Sequence, residues 1–195
     1  MADSSRPPHK GQLSDLPGNK VFVTGHNEDT GKAIVHSTRP VPFAPFDNDQ
    51  MSMGVCWTTS FPSELTKDAD VKKHDDLMAS GKLGLVNSGG TVCRTVDLAP
   101  GYSCLMHRTQ SLDFGIVLEG TIEMILDSGD KSILKRGDVA VQRATMHQWR
   151  NVSETEWARM IFVLQDCQKP EIGGKKLGEE LGHGIDGLPA SSNAH

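Results

Sequence analysis

The second half of the chain is a series of short apolar runs separated by turn residues. From Leu83 onward these runs are "TVCRTVDL", "FGIVLEG", "TIEMIL", "SILK", "VAVQR", "HQWRN" and "ARMIFVLQ", with "PG", "DSGD" and "RGD" among the breaks. In "TIEMIL", strand alternation puts Ile122, Met124 and Leu126 on one face, which we expect to point inward. About seven strands at this spacing predict an antiparallel barrel or sandwich, and therefore a mainly all-β fold.

The first part of the chain carries strand and helix signals of its own. The β-branched runs "KVFVTGHN" and "KAIVHSTRPV", split by "EDTG", predict a hairpin, and "MSMGVCWTTSFP" predicts a further strand. The segment "PSELTKDADVKKHDDLMASG" predicts a short helix, because a proline lies near its start and a glycine follows its end. We expect a flexible arm at 1–19, strands and a short helix packed on the barrel at 20–82, the barrel at 83–168 and a tail at 169–195.

Composition narrows the class of protein. A chain of 195 residues with 36% hydrophobic content suits one core, and its formal net charge of -5 offers no basic face for nucleic acid. No segment resembles a signal peptide or a membrane span, so we expect a soluble cytoplasmic protein without nucleic-acid or membrane partners. The four cysteines, Cys56, Cys93, Cys104 and Cys167, form no CxxC pair and are expected to be small buried thiols.

Two stretches concentrate the polar residues that carry chemistry. If "HRTQSLD" is extended, His107, Thr109 and Asp113 face the same way, and His147 shares a face with Trp149 in "HQWRN". Two histidines and a carboxylate from separate hairpins of one barrel then converge on its interior.

These residues resemble the first motif of the cupin superfamily. Gly101 is followed after five residues by His107, Thr109 stands at the second histidine position, Asp113 at the glutamate position, and Gly120 closes the motif. The resemblance implies a cupin β-barrel, a double-stranded β-helix or jelly roll, here with an N-terminal strand extension and a short helix.

The second cupin motif is similar to "RGDVAVQRATMHQWRN", with Gly137 and Asp138 at the turn, then His147 and Asn151. Together the two motifs resemble small single-domain cupins of bacteria and fungi, of the "HRTxSxD … QRxTxHxWxN" type. Some of these belong to fungal secondary-metabolite pathways, which implies a metabolite as substrate.

The resemblance leaves the cofactor open. Cupins that bind a metal generally use both histidines and the glutamate of the first motif with the histidine of the second, and Thr109 is a poor ligand. His107, Asp113 and His147 can still form a facial triad for a divalent metal such as Fe, Zn or Mn. The alternative needs no metal: an imidazole near its neutral pKa transfers protons and a carboxylate orients it.

Four further residues are candidates for holding a substrate. Arg94 and Arg143, where either points inward, can bind a carboxylate or an enolate by charge-assisted hydrogen bonds. Thr109 can donate a hydrogen bond, and Trp149 can supply an aromatic wall.

We therefore expect a small-molecule enzyme of secondary metabolism. The favoured chemistry is that of a lyase or isomerase, by decarboxylation or dehydration, on a carboxylated or polyketide-like metabolite, with His107, His147 and Asp113 as catalytic residues. The alternatives are a non-haem iron-dependent oxygenase and a non-catalytic ligand-binding cupin. We also expect a homodimer formed by strand addition through "KVFVTG" or "KAIVHS".

Overall fold

The computed structural model describes residues 5–182 and 184–192. Residues 1–4 of the predicted arm, and residues 183 and 193–195 of the predicted tail, lie outside this part of the chain. The strands are β1 Lys20–His26, β2 Ala33–Pro40, β3 Phe43–Phe46, β4 Met51–Ser60, β5 Gly90–Leu98, β6 Ser111–Glu119, β7 Thr121–Leu126, β8 Lys131–Lys135, β9 Val139–Arg143, β10 His147–Asn151, β11 Ala158–Asp166, β12 Glu171–Ile172 and β13 Lys175–Lys176.

Two antiparallel sheets enclose the core. A six-stranded sheet has the order β3-β4-β5-β11-β6-β9, and a three-stranded sheet has the order β10-β7-β8. Apolar side chains from both sheets, among them Val117, Ile122, Trp149 and Met160, are buried between them. This arrangement confirms the predicted all-β jelly roll.

The helix and the first hairpin lie outside the barrel. A single α-helix, α1 (Ala69–Ser80), ends at Gly81, whose φ of 65° closes the last turn in the left-handed region. The His74 ring of α1 stacks on Trp57 of β4 with ring centroids 4.2 Å apart. Among residues 5–182 and 184–192, no helix has the length and apolar content needed to cross a membrane.

The N-terminal residues contact the outer face of the large sheet. Ser14 Oγ donates to Asp97 Oδ2 over 2.5 Å, and Arg159 donates to the carbonyl of Pro17 over 2.6 Å. Arg159 also holds both carboxylate oxygens of Asp97, at 2.6 Å and 2.7 Å, in a buried pair. Residues 14–17 are therefore anchored to β5 and β11.

The predicted limits at residues 19, 82 and 168 remain predictions. β4, which precedes the second limit, pairs with β5 from Met51↔Leu98 to Ser60↔Gly90 and so belongs to the same sheet as the barrel strands.

Candidate active site

A cavity of about 70 Å³ lies inside the barrel between the two sheets. Most of its wall is apolar, and its polar groups come from three parts of the chain. Those polar side chains are Arg94 on β5, His107, Thr109 and Asp113 on and before β6, and His147 on β10.

His107 and His147 are joined through their backbones. Each donates its backbone N–H to the carbonyl of the other, both over 2.9 Å, which ties the loop before β6 to the start of β10. Their imidazole centroids are 4.4 Å apart at an interplanar angle of 47°. The two histidines of the two motifs are therefore neighbours in one cavity.

The hydrogen bonds of the two imidazoles define their protonation. His107 Nδ1 lies 3.0 Å from the carbonyl of Leu105, and His147 Nδ1 lies 2.9 Å from the carbonyl of Thr145. Because a carbonyl oxygen only accepts, each Nδ1 carries the proton in the neutral ring. Each Nε2 is therefore left with a lone pair that can take up a proton.

Burial disfavours the charged form of both imidazoles. It lowers the pKa of His147 to about 3, with the neighbouring His107 as a second cause, and it also lowers the pKa of His107. The hydrogen bond to the Leu105 carbonyl and the carboxylate of Glu179 both act to raise the pKa of His107. Both rings are therefore neutral at pH 7.

Asp113 has one engaged and one unpaired oxygen. Thr109 Oγ1 donates to Asp113 Oδ2 over 3.0 Å, while the buried Oδ1 has no hydrogen-bond partner among the described residues. Burial raises the pKa of Asp113 to about 6. This carboxyl group is therefore close to its protonation equilibrium near neutral pH.

Arg94 is a buried cation without a carboxylate partner. Its Nη2 donates to the carbonyls of Gly84 and Leu85 over 2.6 Å and 3.1 Å, and its buried Nε has no partner. No carboxylate of residues 5–182 and 184–192 lies within 4.0 Å of it. Burial lowers the pKa of Arg94 to about 10, so the guanidinium remains charged in the cavity.

Trp149 lies where the sequence predicts it, and Arg143 does not. The Trp149 ring lines the cavity, with His147 at 5.4 Å in an edge contact and Phe162 at 5.6 Å. Arg143 is exposed on the outer face of β9, where the preceding Gln142 is the buried, inward residue. The structure therefore brings together every predicted site residue except Arg143, and their roles remain predictions.

The described residues do not fit a three-ligand metal site. Among residues 5–182 and 184–192, no group of three or more His, Cys, Asp or Glu side chains is placed to hold a metal ion. Asp113 accepts from Thr109 through one oxygen, and the two imidazoles alone are fewer ligands than the predicted facial triad needs.

The sequence analysis missed a wall residue from the region expected to be a tail. Residues 177–182 and 184–192, here called the C-terminal segment, place Ile185 in the cavity wall and pack Leu181 and Leu188 against the core. This segment is held by Arg108, whose N–H donates to the Glu180 carbonyl over 2.8 Å, and by hydrogen bonds from residues 86 and 88. The only sequence feature that indicates packing of this segment on the core is the presence of isolated apolar residues in the glycine-rich "GHGIDGLP".

A jelly roll with histidines from two hairpins facing one internal cavity defines the cupin class, and the model of the family described as "Cupin domain" matches residues 94–164. The chain belongs to the cupin family. It is 47% identical to "Phomopsin biosynthesis cluster protein D" of Diaporthe leptostromiformis, over 88% of this chain and 91% of that protein.

Two further relatives extend the comparison. "Oryzines biosynthesis cluster protein J" of Aspergillus oryzae is 38% identical, over 86% of this chain and 94% of the length of that protein. "Cupin-domain-containing oxidoreductase fogC" of Aspergillus ruber is 35% identical, over 82% of this chain and 78% of the length of that protein.

Proposed function

We propose that this cupin is an enzyme of fungal secondary metabolism that acts on a small carboxylated metabolite as a lyase or isomerase. The observation that carries the proposal is the imidazole pair, in which both Nδ1 protons are fixed on carbonyls and both Nε2 atoms are free to act. Biosynthesis-cluster proteins among the relatives support the pathway context.

His107 is the proposed general base. The carboxylate of Glu179 favours the charged form of His107, whereas the neighbouring His107 disfavours the charged form of His147 and so lowers its pKa. Nε2 of His107 takes a proton from the carbon beside a carbonyl or carboxyl group of the substrate, and the electron pair moves onto oxygen as an enolate. Return of the proton to a different carbon gives isomerisation, and its transfer to a departing hydroxyl gives an alkene and water.

Arg94 and Asp113 define the proposed polar end of the substrate. The Arg94 Nε–H is an unused donor, and an enolate or carboxylate oxygen that accepts it compensates the buried guanidinium charge. A protonated Asp113 donates from Oδ1 while its Oδ2 accepts from Thr109. A substrate carboxyl group can accept hydrogen bonds from both Arg94 Nε and Asp113 Oδ1. The apolar wall with Trp149 suits the rest of the substrate.

Proton exchange tests this proposal without knowledge of the product. Carboxylated ketones and hydroxy acids with apolar chains are incubated in D2O with the protein, and loss of the proton signal beside the carbonyl is followed by NMR. We expect exchange with wild type and a loss of about 10²-fold or more with His107→Asn, since general bases contribute that much.

The matched control is His74→Asn, because His74 is buried against β4 and does not line the cavity. This variant should keep the exchange rate of wild type. Exchange that persists in both His107→Asn and His147→Asn would contradict the assignment of the imidazole pair.

An oxidoreductase is the second candidate, favoured by the name that the relative from Aspergillus ruber carries. The observation that separates the two is redox stoichiometry. Consumption of oxygen or of a reduced cofactor in step with product supports the oxidoreductase, and redox-neutral turnover supports the lyase or isomerase.

We also propose a homodimer through the β1–β2 hairpin. Phe22 and Val35 of this hairpin are 61% and 62% exposed, and within the described part of the chain its two strands pair only with each other. A gel-filtration mass of two chains that returns to one chain in Phe22→Glu is the expected result, and a single-chain mass for wild type contradicts it.

A further inference from the structure

Two of the four cysteines meet on the outer face of the large sheet. β4 and β5 pair with a shift of register between Val55 and Trp57, so that Cys56 is the extra residue of a β-bulge opposite Cys93. Cys93 precedes Arg94, which points into the barrel, so strand alternation directs the Cys93 thiol outward. Both cysteines are half-buried rather than enclosed in the core.

The surroundings of Cys56 supply hydrogen-bond donors to its sulfur. Asn19 Nδ2 donates to Thr95 Oγ1 over 2.8 Å, and Thr95 Oγ1 lies 3.3 Å from Cys56 Sγ. Because an amide NH2 only donates, it occupies a lone pair of the Thr95 oxygen and leaves the hydroxyl proton for the sulfur. The Cys93 thiol, on the same outer face, lies beside Cys56 across the bulge.

The Thr95 hydroxyl and the neighbouring Cys93 thiol favour the thiolate form of Cys56. Interaction with the neighbouring Cys93 thiol is the main cause that lowers the pKa of Cys56 to about 7, with Thr95 acting in the same direction against burial. The same interaction, together with burial, raises the pKa of Cys93 well above its usual range. The pair therefore consists of a nucleophilic sulfur and a neighbouring thiol that keeps its proton.

The other two cysteines lack this arrangement. Burial raises the pKa of Cys104 to about 12, and it also raises the pKa of Cys167. Cys104 lines the cavity and Cys167 follows β11, so they provide an enclosed and an accessible reference thiol in the same molecule.

We propose that Cys56 and Cys93 form a site of modification by hydroperoxides, in which Cys56 is the attacking thiol and Cys93 the resolving thiol. The Cys56 thiolate attacks the terminal peroxide oxygen, an S–O bond forms to give the sulfenic acid, and the O–O bond breaks. The departing oxyanion takes a proton from solvent and leaves as an alcohol, or as water when the oxidant is hydrogen peroxide. The Cys93 sulfur then attacks the sulfenic acid, the S–S bond forms, the S–O bond breaks, and the proton of Cys93 leaves with the hydroxide as water.

This site stands apart from the proposed function. The thiols and the cavity lie on opposite faces of the sheet, and neither Cys56 nor Cys93 lines the cavity. A Cys56→Ser variant is therefore expected to keep proton exchange at the level of wild type.

The experiment treats the full chain with one to two equivalents of hydrogen peroxide and blocks the remaining thiols with N-ethylmaleimide. We expect a product with two fewer blocked thiols and a mapped peptide pair that joins Cys56 to Cys93. Cys167→Ser, the matched control, should give the same disulfide. A disulfide that involves Cys104 or Cys167, or equal oxidation of all thiols, overturns the proposal.

The single variants separate the roles of the two thiols. Cys93→Ser should stop at the sulfenic acid, trapped by dimedone on Cys56, whereas Cys56→Ser should lose dimedone labelling altogether. Thr95→Val removes one donor at nearly constant volume and should slow alkylation of Cys56 by iodoacetamide several-fold at pH 7. Equal dimedone labelling of Cys93 in Cys56→Ser, or an unchanged alkylation rate in Thr95→Val, contradicts the assigned roles.

Discussion

The Thr109 hydroxyl donates to Asp113 Oδ2 over 3.0 Å, inside a cavity that both residues line. In the cupin motif these two positions carry a histidine and a glutamate. Thr109 and Asp113 therefore replace two metal ligands with a hydrogen-bonded pair, and the carboxyl group is fixed in orientation by its neighbour.

Restoring both ligands should restore metal binding. In Thr109→His with Asp113→Glu, four potential ligands face one cavity, and we expect about one divalent metal ion per chain after incubation with Fe, Mn or Zn and desalting. Metal analysis of the double variant beside wild type measures the gain. Each single variant is the control, and an equal metal content in wild type and double variant would show that these two positions do not set metal affinity.

Two buried groups should give opposite contributions to stability between about pH 4 and pH 6. The pKa of His147 is lowered to about 3, so the unfolded chain binds more protons there and His147 makes the fold less stable as pH falls. The pKa of Asp113 is raised to about 6, so the folded chain binds more protons and Asp113 makes the fold less stable as pH rises.

Substitution should separate these two contributions. Asp113→Asn should lose stability more steeply than wild type as pH falls from about 6 to 4, and His147→Gln should lose it less steeply, because the slope follows the difference in bound protons. Urea unfolding at several pH values gives the free energy of unfolding for each protein. Parallel pH profiles for all three proteins would contradict the assigned shifts.

Arg94 should determine affinity for the carboxyl group. A charge-assisted hydrogen bond contributes about 1.5–3 kcal/mol, so Arg94→Met should weaken binding of a carboxylate by roughly 10- to 150-fold and change binding of the matching amide far less. Fluorescence of Trp149, which lines the cavity, can report a titration with pairs such as benzoate and benzamide.

Arg143→Met is the matched control, since Arg143 is exposed on the outer face of the barrel. It should leave both affinities unchanged. Loss of carboxylate and amide binding by the same factor in Arg94→Met would instead indicate a packing role for Arg94.

The buried pair between Asp97 and Arg159 should anchor the N-terminal residues. Asp97→Asn leaves Arg159 as a buried unpaired cation, and breaking such a pair costs about 3–5 kcal/mol. The exposed pair of Arg39 and Asp75 is the control, and Asp75→Asn should cost about 1 kcal/mol or less. Chemical denaturation measures both, and similar losses in the two variants would refute the anchoring role.

The fold follows from strand alternation and turn residues, which are local properties of the sequence. The placement of His107 and His147 in one cavity follows from motif spacing, because each motif fixes its histidine at a strand or bridge position. In β9 the rule that apolar residues alternate toward the core gives the wrong face. Val139 and Val141 are each 54% exposed, whereas Ala140 and Gln142 face the core. The inward face there is set by volume between the sheets, which the sequence pattern does not record.

The Cys56–Cys93 contact also lies beyond sequence analysis. It depends on a bulge that shifts β4 by one residue against β5, and no local pattern of β4 specifies which cross-strand partner that shift creates. The contribution of Ile185 to the cavity wall depends on hydrogen bonds between distant loops.

The cavity wall joins residues from widely separated parts of the chain, such as Met51 on β4 and Ile185 in the C-terminal segment. Contacts between residues distant in sequence form slowly, because the chain loses the entropy of closing a long loop before the new contact stabilises the structure. We therefore expect the cavity to be completed late in folding, after local hairpins such as β7–β8 have paired. If so, a metabolite that binds in the cavity should slow unfolding and leave the refolding rate unchanged, because it would stabilise a structure that is absent from the transition state.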